Sequence, residues 1–215
     1  MPSCCRSAVC EEIFKPGKAR ATFRRYRRKG LDNLERNMVS VASAQSLAGA
    51  RVLEIGGGIG AIQAELLIAG ASSGEIVELV SAYGPYARQL AHDKGIEDRS
   101  VFGLADVLDH PEAVAPADIV VLNRVVCCSA DGVRLTSVAG TLARRMLLVI
   151  YSRDRAAVRF VMGVMNGLFH LLGRSFRTFL HAPSSLHAAA RDQGLSVVET
   201  SRTFAWEFAA FRRRP

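Results

Sequence analysis

The sequence contains few cysteines and no long uninterrupted apolar run. Its five cysteines, an odd number with adjacent pairs at Cys4-Cys5 and Cys127-Cys128, argue against a disulfide-bonded scaffold and suit a reducing compartment. The longest apolar region, Val158 to Leu172, is interrupted by polar residues and is shorter than the ~20 residues that cross a bilayer. The first residues also lack the continuous apolar segment of a signal peptide. We therefore expect a cytoplasmic protein with no transmembrane segment and no secretion signal.

Acidic residues are also in the minority. The chain has 20 Asp and Glu residues against 28 Lys and Arg residues, which gives a formal net charge of +8. The positive charge is concentrated in residues 20–29, where Phe23 and Tyr26 lie between basic residues, and in Arg212-Arg213-Arg214. Two interpretations remain open: a solvated helix face with a frayed tail, or a surface that binds an anionic acceptor, RNA or another anionic partner.

The order of the predicted elements indicates a single α/β domain. A chain of 215 residues with 49% hydrophobic content can bury one substantial core. Residues 11–46 are predicted to be largely helical with a break at Gly30, and from Ala50 onward apolar strands alternate with helices. Such alternation favours a parallel sheet covered on both faces. We therefore divide the chain into an N-terminal helical cap, residues 1–46, and a core, residues 47–215.

Two regions near the C-terminus carry more specific predictions. Residues 158–172 are predicted to form an amphipathic helix that packs on the sheet or covers a substrate cavity. Residues 195–199 and 203–211 are predicted to be the last two strands, with a short link that makes them antiparallel. In the final strand Phe204, Trp206 and Phe208 alternate with small or polar residues. These three side chains are therefore expected on one buried face.

The most specific motif is a glycine-rich turn after the first predicted strand. The range Leu53–Gly60 contains one acidic residue and four glycines: Glu54, Gly56, Gly57, Gly58 and Gly60. Glycines allow a sharp turn that exposes backbone N–H groups to a ligand, and the helix that follows points its positive end at the same place. The third glycine comes one residue earlier than in the dinucleotide fingerprint, and the absence of Gly-Lys-Ser or Gly-Lys-Thr excludes a P-loop. The spacing resembles motif I of class I S-adenosylmethionine-dependent methyltransferases.

Polar residues at the ends of the later strands complete a predicted cofactor site. In open α/β sheets, ligands bind beyond the carboxyl ends of the strands. Glu78 follows Glu54 at close to the ~20-residue interval expected for a carboxylate that accepts from ribose hydroxyls, and Asp106 could accept from an adenine amino group. The predicted binding residues for S-adenosylmethionine, and for its product S-adenosylhomocysteine, are Glu54, Gly56, Gly57, Gly58, Gly60, Glu78, Leu79, Asp106, Asn123 and Arg124. A site for a different nucleotide is the alternative.

The resemblance extends beyond the first motif. Residues 26–32, 53–67, 77–79, 123–128 and 177–183 resemble a bacterial group of small methyltransferases that is related to the magnesium-protoporphyrin O-methyltransferases and, more distantly, to the ubiquinone-type O-methyltransferases. The resemblance implies a Rossmann-like, doubly wound α/β fold with a seven-stranded, mostly parallel sheet and one antiparallel strand near the C-terminus. It also implies a flexible N-terminal segment that closes over the cofactor with Tyr26 as its gate.

The sequence departs from that group at one strand end. Cys127-Cys128 stand where porphyrin-type members tend to place a histidine, which argues against a porphyrin acceptor. No metal is predicted, because the cysteine spacing lacks the regularity of zinc sites. The alternatives to buried thiols are redox sensing and a thiolate site for zinc or a metalloid, built from Cys127-Cys128 and the N-terminal cysteines Cys4, Cys5 and Cys10.

Two side chains are candidates for a catalytic role. Histidine titrates near neutral pH, so His181 is the candidate general base, and Tyr26 could orient the acceptor. The structural alternatives are a histidine bonded to backbone and a tyrosine that packs beside Phe23.

The predicted function is methyl transfer from S-adenosylmethionine to a small-molecule acceptor, at oxygen, by in-line displacement. An anionic acceptor would agree with the net positive charge. The strand predicted at residues 117–122 does not end in the Asn-Pro-Pro-Tyr type of loop that suits planar nitrogen substrates, so a nucleic acid substrate is not expected. The alternatives are a non-catalytic S-adenosylmethionine-binding protein and a protein that docks RNA or another partner through its basic N-terminal segment. The sequence specifies neither the acceptor nor the oligomeric state.

Overall fold

A seven-stranded sheet forms the centre of the molecule. The computed structural model describes residues 7–214. Neighbouring strands in the sheet follow the order β3-β2-β1-β4-β5-β7-β6. The strands are β1 Arg51–Ile55, β2 Ser73–Glu78, β3 Ser100–Leu104, β4 Ala117–Asn123, β5 Ala143–Ser152, β6 Leu195–Arg202 and β7 Trp206–Arg213.

The strand directions confirm the predicted fold class. Strands β1 to β5 are all parallel to one another, whereas β7 is antiparallel to both β5 and β6. The order reverses between β1 and β4, and this switch point opens a crevice at the carboxyl ends of the strands. The helices are α1 Ser7–Glu11, α2 Pro16–Lys29, α3 Asn33–Ser43, α4 Ala61–Ile68, α5 Gly84–Asp93, α6 Gly132–Leu142, α7 Ala156–Leu171 and α8 Pro183–Asp192.

The central strands are buried on both faces. In β5 every residue from Met146 to Ser152 is buried, and Val120 to Leu122 of β4 are likewise excluded from solvent. Continuous apolar runs of this kind are typical of parallel strands that helices cover on both sides. Because the centre of the sheet is packed in this way, functional side chains at its carboxyl edge stand on a rigid base.

The N-terminal helices belong to the same hydrophobic core as the sheet. The predicted break occurs at Gly30, and α2 buries Ala19, Phe23 and Tyr26 in a cluster that also contains Met38 of α3. A capping box, with Asp32 at the N-cap, starts α3. Whether residues 1–46 act as a cap that closes over a cofactor stays a prediction.

The C-terminal hairpin differs from the sequence prediction. Strand β6 continues to Arg202 and β7 begins at Trp206, because Thr203 and Trp206 close a turn in which the Thr203 N–H donates to the Trp206 carbonyl at 2.8 Å. Phe204 therefore lies in the turn and is 65% exposed, whereas Phe208 is fully buried. The prediction of one buried face was wrong for Phe204.

The apolar helix α7 is also less buried than its pattern predicted. Val158 is buried, but Val161 and Leu172 are exposed. The helix is attached through Phe169, whose ring meets Phe176 edge-on, and through Asn166, which bonds to Thr178. No helix within residues 7–214 is both long and apolar enough to cross a membrane.

Candidate active site at the carboxyl edge of the sheet

The glycine-rich turn lies against the loop that follows β4. The Gly56 N–H donates to the carbonyl of Val77 at 2.8 Å, which ties the turn to the end of β2. Gly56 has φ of +64°, and a Cβ atom there would lie 2.4 Å from Cγ2 of Val125. A side chain at this position would be strained and would collide with the adjacent loop. The turn therefore brings bare backbone to the crevice.

Glu78 connects the end of β2 to this turn. One carboxylate oxygen accepts from the Gly58 N–H at 2.6 Å and the other accepts from the Leu79 N–H at 3.0 Å. The side chain is buried, and burial raises the pKa of Glu78 above its ordinary value, although the hydrogen bonds to Gly58 and Leu79 oppose the shift. Each carboxylate oxygen can accept more than one bond. Glu78 can therefore hold the turn and still accept from a ligand.

A cavity of about 370 Å³ lies between these elements, and we call it the carboxyl-edge cavity. It is within the range of roughly 300–1,000 Å³ that is usual for small-molecule sites. Eight of the ten predicted cofactor-binding residues line it: Gly56, Gly57, Gly58, Glu78, Leu79, Asp106, Asn123 and Arg124. Residues from four different strand ends, far apart in the sequence, thus meet at one place.

Asp106 lines the cavity at the loop after β3. Its Oδ1 accepts from the Leu108 N–H at 2.9 Å, a local turn that fixes the side chain. Leu108 and Val107 also line the cavity. This wall therefore combines one carboxylate with apolar side chains, a composition that suits a heterocyclic ring with polar edges.

Glu35 was missed by the sequence interpretation and organises the opposite wall. Its Oε1 accepts from Arg124 Nη1 at 2.8 Å and from Asn123 Nδ2 at 3.1 Å, while Arg124 Nη2 donates to Asp32. Arg124 adopts a left-handed backbone conformation, with φ of +57°, which is uncommon for residues other than glycine. The spacing of Asp32 and Glu35 is a capping-box signature, and that signal could have drawn attention to Glu35.

Asn123 retains an unused acceptor at the cavity. Its Oδ1 is buried and has no hydrogen-bond partner among the described residues. A buried polar atom without a partner costs roughly 1–3 kcal/mol. A donor group on a bound ligand would remove this cost, so Asn123 is suited to recognise an N–H or O–H group.

Glu54 and Gly60 lie outside the cavity lining. The buried Glu54 side chain accepts from the Gln63 N–H at 3.0 Å and thereby joins β1 to α4. Burial raises the pKa of Glu54 to about 8. A Cβ atom on Gly57 would lie 2.6 Å from Cγ of Glu54. The structure therefore places Glu54 beneath the turn, where it supports the backbone that faces the cavity.

The two predicted catalytic side chains also lie outside the cavity lining. The Tyr26 hydroxyl donates to the carboxylate of Glu65, and its ring is buried in the core. His181 Nε2 lies 2.9 Å from the Ser129 carbonyl, and Ser129 itself lines the cavity. His181 therefore contacts a residue of the cavity wall but does not itself line the cavity. The catalytic roles of both residues stay predictions.

The cysteines divide between the cavity and its surroundings. Cys10 and Cys128 line the cavity, and Cys127 Sγ lies 4.0 Å from Cys128 Sγ. The hydrogen bond with Cys128 lowers the pKa of Cys127. Cys4 and Cys5 lie outside the described residues. Within residues 7–214, no three His, Cys, Asp or Glu side chains form a group that could hold a metal ion.

Solved structures with a similar fold are methyltransferases in several cases. An O-methyltransferase family protein from Burkholderia thailandensis matches with a TM-score of 0.70 and 19% identity, over 98% of this chain and 63% of that protein. Magnesium protoporphyrin IX methyltransferase from Synechocystis PCC 6803, solved with bound S-adenosylhomocysteine, matches with a TM-score of 0.70 and 19% identity, over 96% of this chain and 99% of that protein. This chain has a class I methyltransferase fold.

The fold does not by itself assign the reaction. The (4+2)-cyclase SpnF also matches, with a TM-score of 0.62 and 12% identity, over 83% of this chain and 80% of that protein. No protein-family profile and no curated protein matches the sequence. The chain spans 63% of the length of the Burkholderia protein. The residues of the carboxyl-edge cavity, rather than the fold, therefore indicate the activity.

Proposed function

We propose that this protein transfers a methyl group from S-adenosylmethionine to an oxygen atom of a small-molecule acceptor. One observation carries the proposal: the glycine turn, Glu78 and Asp106 all line one cavity at the switch point of the sheet. Similarity to methyltransferase structures supports it.

The residues present fit this cofactor. The backbone at Gly56 to Gly58 would approach it closely, because no side chains intervene, and Glu78 would accept from two neighbouring hydroxyl groups. Asp106 would accept from an amino group on a heterocyclic ring. Asn123 Oδ1, which has no hydrogen-bond partner among residues 7–214, would accept from a further donor group of the cofactor.

S-adenosylmethionine supplies an electrophilic methyl group on a sulfonium centre, which an acceptor oxygen can attack in line. The task of the chain is to hold the acceptor in position and to exclude water, and such positioning can contribute roughly 7–11 kcal/mol. Phe14, Tyr83 and Leu135 provide apolar lining for this purpose. His181 could remove a proton from the acceptor only if the Ser129 segment moved, since Ser129 separates it from the cavity.

The charges of the cavity bear on the class of acceptor. Arg25 and Arg124 are the lining arginines, and both are within ion-pair distance of Glu35, at 3.8 and 2.8 Å. Glu78 and Asp106 add further carboxylates. Because the arginines are already compensated, a neutral acceptor with a hydroxyl group, such as a phenol, fits the cavity better than a strongly anionic one.

The proposal is tested by binding and turnover on the same preparation. Calorimetry with S-adenosylhomocysteine should give one site per chain. Incubation with methyl-labelled S-adenosylmethionine and a panel of phenols and aliphatic alcohols should give labelled, base-stable ethers. Binding of S-adenosylhomocysteine without any transfer would favour the non-catalytic binding protein, and absence of binding would refute both.

A further inference from the structure

A second cavity lies at the opposite, amino edge of the parallel strands. It has a volume of about 290 Å³ and lies where β4 and β5 begin, where β7 ends, and where α3 ends. Five arginines line it, together with Ala42, Gln45, Ile119 and Met146. We call this the arginine pocket. Its arginines are Arg144, Arg145, Arg212, Arg213 and Arg214.

Two of these arginines donate hydrogen bonds to backbone carbonyls and therefore have a structural role. Arg213 donates to the carbonyls of Gly140, Ala143 and Gln193 at 2.6–3.2 Å, which fastens the end of β7 to the start of β5. Arg145 donates to the Ser46 carbonyl at 3.1 Å. These two side chains form part of the rigid frame of the pocket.

The guanidinium groups of the remaining three arginines have few or no hydrogen-bond or ion-pair partners among the described residues. Arg214 uses its Nε to donate to the Ser196 hydroxyl at 2.8 Å, which leaves its two terminal nitrogens available. The side chains of Arg144 and Arg212 form no hydrogen bond and no ion pair with any residue in the range 7–214. All three side chains are exposed. The pocket thus presents guanidinium N–H groups that no acceptor in the described part of the chain uses.

Among residues 7–214, no carboxylate lines the arginine pocket, although carboxylates are close. Asp118 precedes Ile119, but its side chain accepts from the Arg51 N–H at 2.9 Å instead. Glu199 lines a neighbouring groove that Arg212 also lines, and it forms no ion pair within the described residues. By contrast Arg51, at the same edge of the sheet, pairs with Glu75. Like charges gathered without a counter-charge repel one another, and a bound anion would relieve that repulsion.

From this geometry we propose that the arginine pocket binds a small phosphate-bearing polyanion at a site separate from the carboxyl-edge cavity. Guanidinium groups match phosphate oxygens in pairs of parallel hydrogen bonds. A concave site also suits a small ligand better than a nucleic acid, which requires a longer basic surface along its backbone. The side chains of Ile119 and Met146 provide an apolar part of the lining, which a less polar part of the ligand can contact.

Tripolyphosphate is the probe for this site. Titration calorimetry on the full chain, at constant ionic strength, should detect one site. The double variant Arg144→Gln/Arg212→Gln should weaken it by about tenfold or more, because two charge-assisted contacts are lost. Neither arginine side chain forms a hydrogen bond or an ion pair with another residue in the range 7–214 and both are exposed, so the variant should fold normally. In spectra of methyl-labelled methionine, tripolyphosphate should shift Met146 and leave Met162 and Met165 unchanged.

The matched control is Arg20→Gln/Arg24→Gln, which removes the same charge from exposed positions of α2. It should retain tripolyphosphate affinity. Equal loss in both double variants, or no binding by the native protein, would overturn the proposal. Single-stranded RNA that bound more tightly than tripolyphosphate, with the same dependence on Arg144 and Arg212, would assign the surface to nucleic acid and also overturn it. S-adenosylhomocysteine affinity should be equal in all three proteins, so this test is independent of the methyl-transfer proposal.

Discussion

The two edges of the sheet differ in how their charges are compensated. At the carboxyl edge, Arg25 and Arg124 are both within ion-pair distance of the buried Glu35. At the amino edge, five arginines surround a pocket that no carboxylate of the described residues lines. The first arrangement fixes a wall of a cavity, whereas the second leaves donors available. A net charge of +8 therefore says little until the partner of each arginine is known.

The largest expected effect is the loss of ligand binding at the carboxyl edge while ligand binding at the amino edge is retained. Gly58→Arg should abolish S-adenosylhomocysteine binding, because the new side chain would enter the carboxyl-edge cavity from a backbone position with φ of +60°. Gly95→Arg is the control: its φ is +64°, so the backbone strain is similar, but no atom lies within 4 Å of the added Cβ. Calorimetry on both variants checks this. Unchanged affinity in Gly58→Arg would refute the assignment of the cofactor site, whereas tripolyphosphate affinity should be unaffected.

The next effect concerns the support beneath the carboxyl edge. Because burial raises the pKa of Glu54 to about 8, its protonated form favours the folded state. That stabilisation is complete below the pKa of an unfolded-chain glutamate, about 4.3, and is lost as pH rises through 8. Glu54→Gln, which stays neutral, should therefore lose less stability between pH 5 and pH 8, by on the order of a few kcal/mol. Urea unfolding at the two pH values measures the difference, and identical pH dependence would contradict it.

A smaller effect on S-adenosylhomocysteine affinity is expected from a substitution in β2, where two glutamates serve different edges of the sheet. Glu78→Ala should weaken S-adenosylhomocysteine binding by roughly 1–3 kcal/mol, because the charge-assisted bonds to ribose hydroxyls are lost. Glu75→Ala, three residues earlier on β2, removes a carboxylate that pairs with Arg51 at the amino edge. This control should keep its affinity. Equal affinities in the two variants would contradict the role of Glu78 in cofactor binding.

The smallest effect concerns Tyr26, which lines neither the carboxyl-edge cavity nor the arginine pocket. Its placement predicts that Tyr26→Phe lowers the free energy of unfolding by about 0.5–1.5 kcal/mol, through loss of one hydrogen bond to Glu65, with turnover unchanged. A large loss of turnover with normal stability would instead support the gate role that the sequence resemblance implied.

The sequence predicted the fold because its signals are local and periodic. Gly56 to Gly60 marked the turn after β1, and the apolar runs of β4 and β5 marked buried parallel strands. Prediction was less accurate where tertiary contacts override the pattern. Phe204 alternated correctly for a strand, yet the Thr203–Trp206 turn removed it from the sheet. The helix α7 was amphipathic as predicted, yet little of the protein covers it, since among its residues only Val158 is buried.

Local sequence patterns predicted the order of strands and helices and the residues that arrive at the carboxyl edge, because parallel strands all end on one side of the sheet. Which of the acidic side chains face the cavity depends instead on contacts made in the folded protein. Glu54 and Glu78 both follow apolar strand residues, but Glu54 accepts from Gln63 beneath the turn while Glu78 faces the cavity. The arginine pocket likewise depends on β7 pairing with β5. Long-range pairing of this kind brings together residues that are distant in sequence, and no local pattern encodes the resulting neighbours.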